Sequence, residues 1–295
     1  MTLTVGSLFS GVGDFDRSFT EDVPVTSVFS FGGGVQSHAV LALAAQGVVQ
    51  YDAFVFANVG NDSENPDTLT YIEQYTKPYC ADHGINFVEV SRLRRTGMPA
   101  TLKADAIRPE TKSVVIPAYV EGGGMTRRNC TTDWKIAVVD RWVKQQKIGH
   151  VVTGLGISTD EWQRVRSTDW SDGLVSEGGN KKAFGFWKKR EYPLMLLKLS
   201  RAQCYRITAD AGLPTPPKSS CYFCPFKKRA EWIELRQTQP DLFEEAAQIE
   251  DALNNKGLPR TYRLHPSRKP LREAVADQSL MFPEDDICES GYCWT

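Results

Sequence analysis

The chain lacks any apolar run that approaches the roughly 20 residues needed to cross a bilayer. It does not open with a charged segment followed by an apolar one, so nothing in the sequence indicates secretion. Its formal net charge is −1, which argues against a surface that coats nucleic acid with positive charge but allows a local basic channel. We therefore expect a cytoplasmic protein that does not contact a membrane.

The sequence also gives no sign of a disulfide framework. In a cytoplasmic protein, seven cysteines among 295 residues are expected to be thiols or metal ligands. This length allows one large domain, or a core with an appended module. We predict an N-terminal extension over residues 1–23, a nucleotide-binding α/β domain over 24–213 and a cysteine-containing module over 214–295.

The most informative segment is residues 25–42, VTSVFSFGGGVQSHAVLA. A β-branched and aromatic run that ends in Ser30 and Phe31 enters three glycines, and an apolar helix-like stretch follows. Glycines allow a tight turn with inward-pointing N–H groups, and a helix start carries partial positive charge, so this unit suits an anion. It is not a Walker-type loop, because no Lys follows the glycines. The alternative is an ordinary glycine-rich turn of an α/β protein.

Strand-like and helix-like segments alternate from residue 25 to about residue 155. The predicted elements are strands at 51–59, 85–90 and 150–156, and helices that begin near Pro66 and Thr132. Strands separated by helices predict a doubly wound parallel sheet, with its ligand crevice at the carboxyl ends of the strands. The glycine turn, Asn58 and Gly154 all fall at those ends.

Three cysteines form a candidate metal site. Cys221 and Cys224 make a CxxC pair in SSCYFCPFKK, a spacing that lets two thiolates face one metal centre. A redox pair or two unrelated thiols would look the same. Cys130 comes just before the helix predicted from Thr132, and Cys293 lies near the end of the chain. By contrast, the two cysteines on apolar helical faces are expected to be buried small hydrophobes; they are Cys80 and Cys204.

The glycine turn resembles the PP-loop of the ATP pyrophosphatase superfamily, usually written SGGxxS and here Gly32-Gly33-Gly34-Val35-Gln36-Ser37. The resemblance implies an adenine nucleotide alpha hydrolase-like fold. It also implies a loop that binds the pyrophosphate of ATP, or the sulfate and phosphates of an adenylyl sulfate. The residues expected to contact the nucleotide are Ser30, Gly32, Gly33, Gly34, Gln36 and Ser37. Gly32 replaces the first Ser of the motif, so one hydroxyl donor is missing.

Two further segments resemble the same superfamily. In FANVGNDSENPDTLTYI the end of the strand implies an adenine contact at Asn58, which replaces the usual Asp. In GLGISTDEWQRVR a glycine turn that includes Gly154 precedes charged side chains suited to Mg²⁺ and phosphate. Those side chains are Asp160, Glu161, Arg164 and Arg166, of which Asp160 and Arg164 are predicted to act in catalysis. The alternative is a surface helix of mixed charge.

The cysteine order resembles the phosphoadenylyl-sulfate reductase-like branch of this superfamily, which includes phage-type and DndC-like members. A Cys that heads a helix and a later CxxC pair imply a [4Fe–4S] cluster bound by Cys130, Cys221 and Cys224. In that branch a Cys-Cys pair heads the helix, and Asn129-Cys130 replaces it here. Cys293 is the first candidate for the fourth ligand and Cys288 the second. Zinc, which also takes thiolates, and the absence of any metal are the alternatives.

Two other segments leave their roles open. MTLTVGSLFSGVGDFD resembles the opening of DNA cytosine methyltransferases, but the rest of the cofactor site of those enzymes is absent. Residues 91–129 carry several arginines among glycines and prolines, which fits a substrate lid or a solvated insertion equally.

Three activities follow from these resemblances. The favoured one is ATP-dependent adenylation of a substrate, with DNA or RNA preferred, for sulfur transfer from a donor protein. The second is thiol-dependent reduction of an adenylyl sulfate, with Cys293 as nucleophile and a separate reductant protein. The third is a non-catalytic module that binds an adenine nucleotide.

Overall fold

The structure is a computed structural model that describes residues 25–146, 149–169, 171–177 and 180–276. The methyltransferase-like segment and the predicted ligands Cys288 and Cys293 lie outside the described residues. In these ranges no helix is long and apolar enough to span a membrane.

The described residues form the following strands and helices, numbered in chain order. The strands are β1 (Val25–Phe31), β2 (Ala53–Asn58), β3 (Phe87–Ser91), β4 (Tyr119–Val120), β5 (His150–Leu155), β6 (Ser171–Glu177), β7 (Asn180–Glu191) and β8 (Tyr262–Arg263). The helices are α1 (Val35–Ala45), α2 (Pro66–Tyr71), α3 (Lys77–Asp82), α4 (Leu102–Ile107), α5 (Asn129–Thr131), α6 (Ala137–Gln145), α7 (Pro193–Leu196), α8 (Arg201–Asp210), α9 (Arg229–Thr238), α10 (Pro240–Asn254) and α11 (Leu271–Ala274). A π-helical turn (Ile72–Thr76) joins α2 to α3, another (Thr132–Ile136) joins α5 to α6, and a 3-10 helix (Thr159–Arg164) follows β5.

The chain divides into two compact units that are interleaved along the sequence. The sheet unit is drawn from Met1–Asn58, Pro66–Val90 and Lys135–Ser219, and the helical unit from Val59–Asn65, Ser91–Trp134 and Ser220–Thr295. The chain passes from the sheet unit to the helical unit for the last time after Ser219, a few residues after the boundary predicted at residue 213. Two earlier parts of the helical unit, Val59–Asn65 and Ser91–Trp134, lie within the segment predicted as one nucleotide-binding domain.

The sheet unit is built on a six-stranded sheet of order β3-β2-β1-β5-β7-β6. Strand β1 pairs in parallel with β2 on one side and with β5 on the other, and β5 pairs in parallel with β7. This confirms the predicted α/β class with a parallel sheet. The edge hairpin, in which β6 pairs antiparallel with β7, was not predicted, because its polar, Lys-rich sequence shows little periodicity.

Side chains of β1 and β2 alternate between the two faces of this sheet. One face presents Phe29, Phe31, Phe54 and Phe56, which belong to an apolar core shared with α1, α8 and the π-helical turn after α2. The other face presents Val28, Ala53, Val55 and Val151, which pack with Val138, Val139 and Val143 of α6. Because helices cover both faces, the sheet is doubly wound, as predicted.

The predicted helix at Thr132 begins earlier than expected. Its first residue is Asn129, so Cys130 lies inside the first helical turn and not before it. The helix passes through the π-helical turn before it continues as α6. The sequence gives no capping signal for this start, because the N-cap residue is Arg128, which makes no side-chain capping bond.

The helical unit has a single apolar core built from distant stretches of the chain. Its largest fully buried side chains are Trp134, Tyr222, Phe223 and Trp232, and α9 and α10 pack on each other. Ala100, Leu102, Ile116 and Ala118 join the same core, so the interpretation of residues 91–129 as a solvated insertion is wrong for this part. The segment predicted as a cysteine-containing module also contains the 15-residue helix α10.

Candidate functional site

The glycine turn has the geometry predicted for an anion site. Residues 32–34 connect the carboxyl end of β1 to α1, and Gly33 has φ +78, a conformation that favours glycine. Gly34 is the N-cap residue of α1 and makes no side-chain capping bond, so this 11-residue helix starts without a side-chain cap of its own over its first N–H donors. The turn lies where β1 has neighbours β2 and β5 on opposite sides, the switch point at which α/β sheets bind ligands.

Neighbouring side chains leave little room for anything larger than glycine in this turn. A Cβ on Gly33 would lie 3.0 Å from Thr68 Cγ2, and one on Gly34 would lie 3.2 Å from Ser219 Oγ. Ser37 is buried, and its hydroxyl accepts a hydrogen bond from the N–H of Gly32 at 2.9 Å. A Ser at position 32 would crowd that hydroxyl, because a Cβ there would lie 3.3 Å from it. The departure from the usual motif therefore fits the local packing.

Gln36 connects the turn to the segment that follows β5. Its Nε2 donates to Ser158 Oγ at 3.0 Å and to Glu161 Oε2 at 2.6 Å. The other oxygen of Glu161 accepts from Arg164 at 2.7 Å. Gly156 lies beside this connection, since a Cβ there would be in van der Waals contact with the backbone of Gln36, at 3.5 Å. The structure thus brings together the predicted residues Gln36 and Arg164, with Glu161 between them.

The other predicted residues occupy different settings. Asp160 lies at the edge of this network: its Oδ2 accepts from Ser158 Oγ at 3.3 Å and from the backbone N–H of Arg201 at the start of α8. Asn58 is buried at the carboxyl end of β2, where its Nδ2 donates to Glu89 Oε1 at 2.8 Å. Ser30 lies in β1 between its partners on β2 and β5.

Gly154 has a packing reason to be glycine. It lies inside β5, and a Cβ there would fall 2.5 Å from the hydroxyl of Tyr51 and 2.6 Å from two of its ring carbons. That hydroxyl in turn donates to Glu191 Oε1 at 2.5 Å. The burial of Tyr51 and the carboxylate beside it both raise the pKa of this phenol, so it remains protonated. The nucleotide contact predicted for Gly154 remains a prediction.

Sequence reasoning missed His38, one turn into α1. The residue is fully buried, with Nδ1 3.0 Å from Gly34 O and Nε2 2.8 Å from Thr76 Oγ1. Its ring packs edge-on against Phe31 and Tyr71. Burial lowers the pKa of His38 to about 4, although the bond to Gly34 raises it, so the ring is neutral near pH 7. Its place four residues after the last glycine was the available signal, since residues four apart share a helix face.

The three predicted metal ligands in the described residues all lie in the helical unit. Cys221 and Cys224 flank a tight turn in which the N–H of Cys224 donates to Cys221 O at 3.1 Å. Cys130 and Cys221 are half-buried and contact the same apolar core. The Arg128 guanidinium lies 4.6 Å from the ring centroid of Phe226, which places the first turn of α5 beside the segment that follows the CxxC pair.

These thiols suit a soft metal, but the described part of the chain does not assemble a complete ligand set. In that part, no three His, Cys, Asp or Glu side chains are grouped so that they could hold a metal ion. The predicted fourth ligand, Cys293, lies outside it. The cysteines predicted to be buried hydrophobes are confirmed as such. Burial raises the pKa of both thiols, Cys80 and Cys204, to about 12.

No family model matches the chain, and no curated protein matches it. Among solved structures, it is similar to the U34-tRNA thiolase NcsA from Methanococcus maripaludis with its [4Fe-4S] cluster. The TM-score is 0.37 at 12% sequence identity, over 79% of this chain and 72% of that one. A similarity this distant carries no argument about what this chain binds or does.

Proposed function

We propose that this protein is a PP-loop ATP pyrophosphatase that adenylates a substrate for sulfur transfer, with nucleic acid as the favoured substrate class. The observation that carries the proposal is the glycine turn at the β1–β5 switch point, joined to a helix whose first N–H groups have no side-chain cap. Such a turn suits the pyrophosphate part of ATP, which is its most highly charged part.

The reaction would transfer the adenylyl group. A nucleophilic oxygen of the substrate attacks the α-phosphorus, the bond between the α-phosphorus and the bridging oxygen breaks, and pyrophosphate leaves with that electron pair. Charge builds up on the leaving pyrophosphate, where the turn and the start of α1 would stabilise it. A sulfur nucleophile then displaces AMP from the activated position.

Gln36, Glu161 and Arg164 would orient the turn for this step. The two oxygens of Glu161 accept from Gln36 and Arg164, so the carboxylate fixes both side chains beside the turn. Arg164 is about one-third exposed, so its remaining donors can reach an incoming phosphate. This is the role we assign to Arg164, while Asp160 is tied to the start of α8.

Mg²⁺ and an iron–sulfur cluster belong to the proposal as cofactors. Mg²⁺ is usually held by one or two carboxylates together with the phosphates of the substrate, and Glu161, which accepts from Gln36 beside the turn, is the carboxylate we assign to it. The thiols of Cys130, Cys221 and Cys224 have the right chemistry for a cluster, which would supply a soft site for sulfur. Because the described residues do not gather three of these donors, no step is assigned to the cluster.

Calorimetric titration with a non-hydrolysable ATP analogue tests the nucleotide site. Ser37→Ala removes the hydroxyl that accepts from Gly32, and Gly33→Ala places a Cβ 3.0 Å from Thr68 Cγ2. We expect both variants to lose at least tenfold in affinity while they keep a wild-type circular dichroism spectrum. Gly124→Ala is the matched control, because a Cβ there meets nothing within 4 Å. Unchanged affinity in both loop variants would refute the proposed site.

The reaction class is tested by its products. The proposal requires pyrophosphate–ATP exchange that depends on added RNA or DNA, and AMP release once a sulfur donor is present. The competing reductase would instead release sulfite from an adenylyl sulfate when a reductant is supplied, without ATP. Sulfite release of that kind would replace the proposed reaction with the reductase, because the same turn can bind either nucleotide.

A further inference from the structure

His38 lies one helical turn from the glycines, and both its ring nitrogens make hydrogen bonds. A carbonyl oxygen can only accept, so Nδ1 carries the proton and donates to Gly34 O at 3.0 Å. Nε2 then accepts from the hydroxyl of Thr76 at 2.8 Å. The backbone N–H of His38 also donates to the same Gly34 oxygen at 3.1 Å. Gly34 O therefore receives two hydrogen bonds from one residue.

This pair of bonds fixes the orientation of one peptide group at the mouth of the turn. The carbonyl of Gly34 and the N–H of Val35 belong to the same planar unit and point in opposite directions. With the carbonyl held along α1, the N–H of Val35 must point out of the helix start, towards the position of a bound anion. Rotation of this peptide would turn the carbonyl towards the anion and remove a donor.

The second nitrogen of His38 ties this peptide to the helix that follows β2. Thr68, Ile72 and Thr76 are spaced four residues apart and are all buried. Thr68 and Ile72 are neighbours of the position that a Cβ on Gly33 would occupy, and Thr76 bonds to His38. One side of this helix thus lies along the turn, and the His38–Thr76 bond fixes their relative position. The bond falls in a π-helical turn, a feature common at functional sites.

We propose that His38 is a positioning residue of the anion site: it holds the Gly34–Val35 peptide in its donor orientation and aligns the turn with the helix that contains Thr76. This inference rests on the proposed nucleotide site, but it makes a separate claim. It says that the hydrogen bond from Nδ1 contributes to ligand affinity beyond any contribution of His38 to the stability of the fold.

Two substitutions separate the two ring nitrogens. In His38→Asn the side-chain amide takes the place of Nδ1 and can still donate to Gly34 O. In His38→Gln the amide takes the place of Nε2, so the bond to Thr76 is retained and the bond to Gly34 is lost. Both variants lose the ring contacts with Phe31 and Tyr71, so they should be destabilised to a similar degree.

The test is calorimetric affinity for the non-hydrolysable ATP analogue, with thermal unfolding measured on the same samples. We expect His38→Gln to bind about three- to tenfold more weakly than His38→Asn, which is the usual net worth of one hydrogen bond. His150→Gln is the control, since His150 is also buried in the sheet unit but lies outside the anion site, and its affinity should equal that of the wild type.

The outcomes are separable. Wild-type affinity in His38→Gln would overturn the role of the Nδ1 bond, and wild-type affinity in His38→Asn would overturn the aligning role of the bond to Thr76. Either result leaves the nucleotide site intact. A wild type that does not bind would refute the proposed site itself. Amide exchange then provides a second measurement: faster exchange at Val35 in the Gln variant than in the Asn variant supports the peptide argument, and equal rates contradict it.

Discussion

The two units of this protein treat their cysteines in opposite ways. In the sheet unit, Cys80 and Cys204 are buried in the core beside α1, where burial raises the pKa of both thiols to about 12. In the helical unit, Cys130, Cys221 and Cys224 are only half-buried and lie at a helix start and a tight turn. A thiol with so high a pKa is a poor ligand and nucleophile, because the thiolate is the reactive form. The contrast therefore agrees with the prediction that the candidate metal ligands are those of the helical unit.

The largest effect is expected from substitution of the half-buried cysteines of the helical unit. Cys221→Ser or Cys224→Ser should abolish the broad visible absorption and the bound iron of anaerobically purified protein, because each removes a predicted thiolate ligand. Cys204→Ala, in the sheet unit, should leave both unchanged. Absorption spectra and iron and zinc content provide the measurement. Colourless wild-type protein with stoichiometric zinc would show that the metal, but not the ligand set, was named wrongly.

Acid should weaken both units through buried histidines, and in each unit one of them has a strongly lowered pKa. Burial lowers the pKa of His38 in the sheet unit and of His265 in the helical unit to about 4. The unfolded chain therefore binds protons at a higher pH than the folded chain. Stability is fully present above the unfolded pKa and is lost as the pH falls from about 6.5 to about 4, by up to about 1.4 kcal/mol per pH unit for each histidine.

Urea unfolding between pH 7 and pH 4.5 measures this loss. His265→Gln should remove one of the two contributions and flatten the dependence on pH. An unchanged slope in that variant would mean that His265 titrates normally in the folded protein. Glu250 is a buried carboxylate in the same unit. It accepts from two backbone N–H groups, so its substitution would remove these hydrogen bonds as well as a titrating group, and we leave it unchanged in this experiment.

Gly154→Ala gives a smaller effect that is confined to the sheet unit. The new Cβ would lie 2.5 Å from the Tyr51 hydroxyl, so the ring must move away from Glu191. We expect a loss of about 1–3 kcal/mol in unfolding free energy, which is typical of overpacking. When Tyr51→Ala is already present, adding Gly154→Ala should carry no such penalty. A penalty that persists there would assign Gly154 to another role, such as the predicted nucleotide contact.

Removal of a helix cap should give the smallest loss of stability. Each unit has one such cap, so the two losses can be compared directly. Ser200 caps α8 in the sheet unit by accepting from Gln203 N at 3.3 Å, and Thr101 caps α4 in the helical unit by accepting from Ala104 N at the same distance. Ala at either position should cost about 1 kcal/mol. Thr101 also donates to Asp62, so its loss should be the larger. Denaturant midpoints of the two Ala variants measure this difference. A larger loss of stability in Ser200→Ala than in Thr101→Ala would contradict the prediction.

The sheet unit could be predicted well from sequence because its signals are local. Strand β1, the glycines and the start of α1 follow each other within a few residues, and each has its own composition. The carboxyl ends of β2 and β5 could be placed for the same reason. The predicted strand at 150–156 matches β5, which covers His150–Leu155. The hairpin of β6 and β7 was not predicted, because its charged sequence shows no alternation of polar and apolar residues.

The helical unit could not be predicted because its core depends on distant parts of the chain. Ile116, Trp134 and Trp232 meet in one core, yet no local pattern links them. Within the site, the same limit applied to His38, whose role depends on a partner in a different helix, Thr76. The contact between Arg128 and Phe226 is another example, since only the fold brings these residues together.

The close approach of Tyr51 to Gly154 has a consequence for the divergence of this sequence. A side chain can appear at position 154 only after the ring at position 51 has become smaller, and the carboxylate at position 191 then loses its donor. Substitutions at these three positions should therefore occur in a fixed order during evolution. Homologues with a side chain at position 154 should therefore also carry a residue smaller than Tyr at position 51.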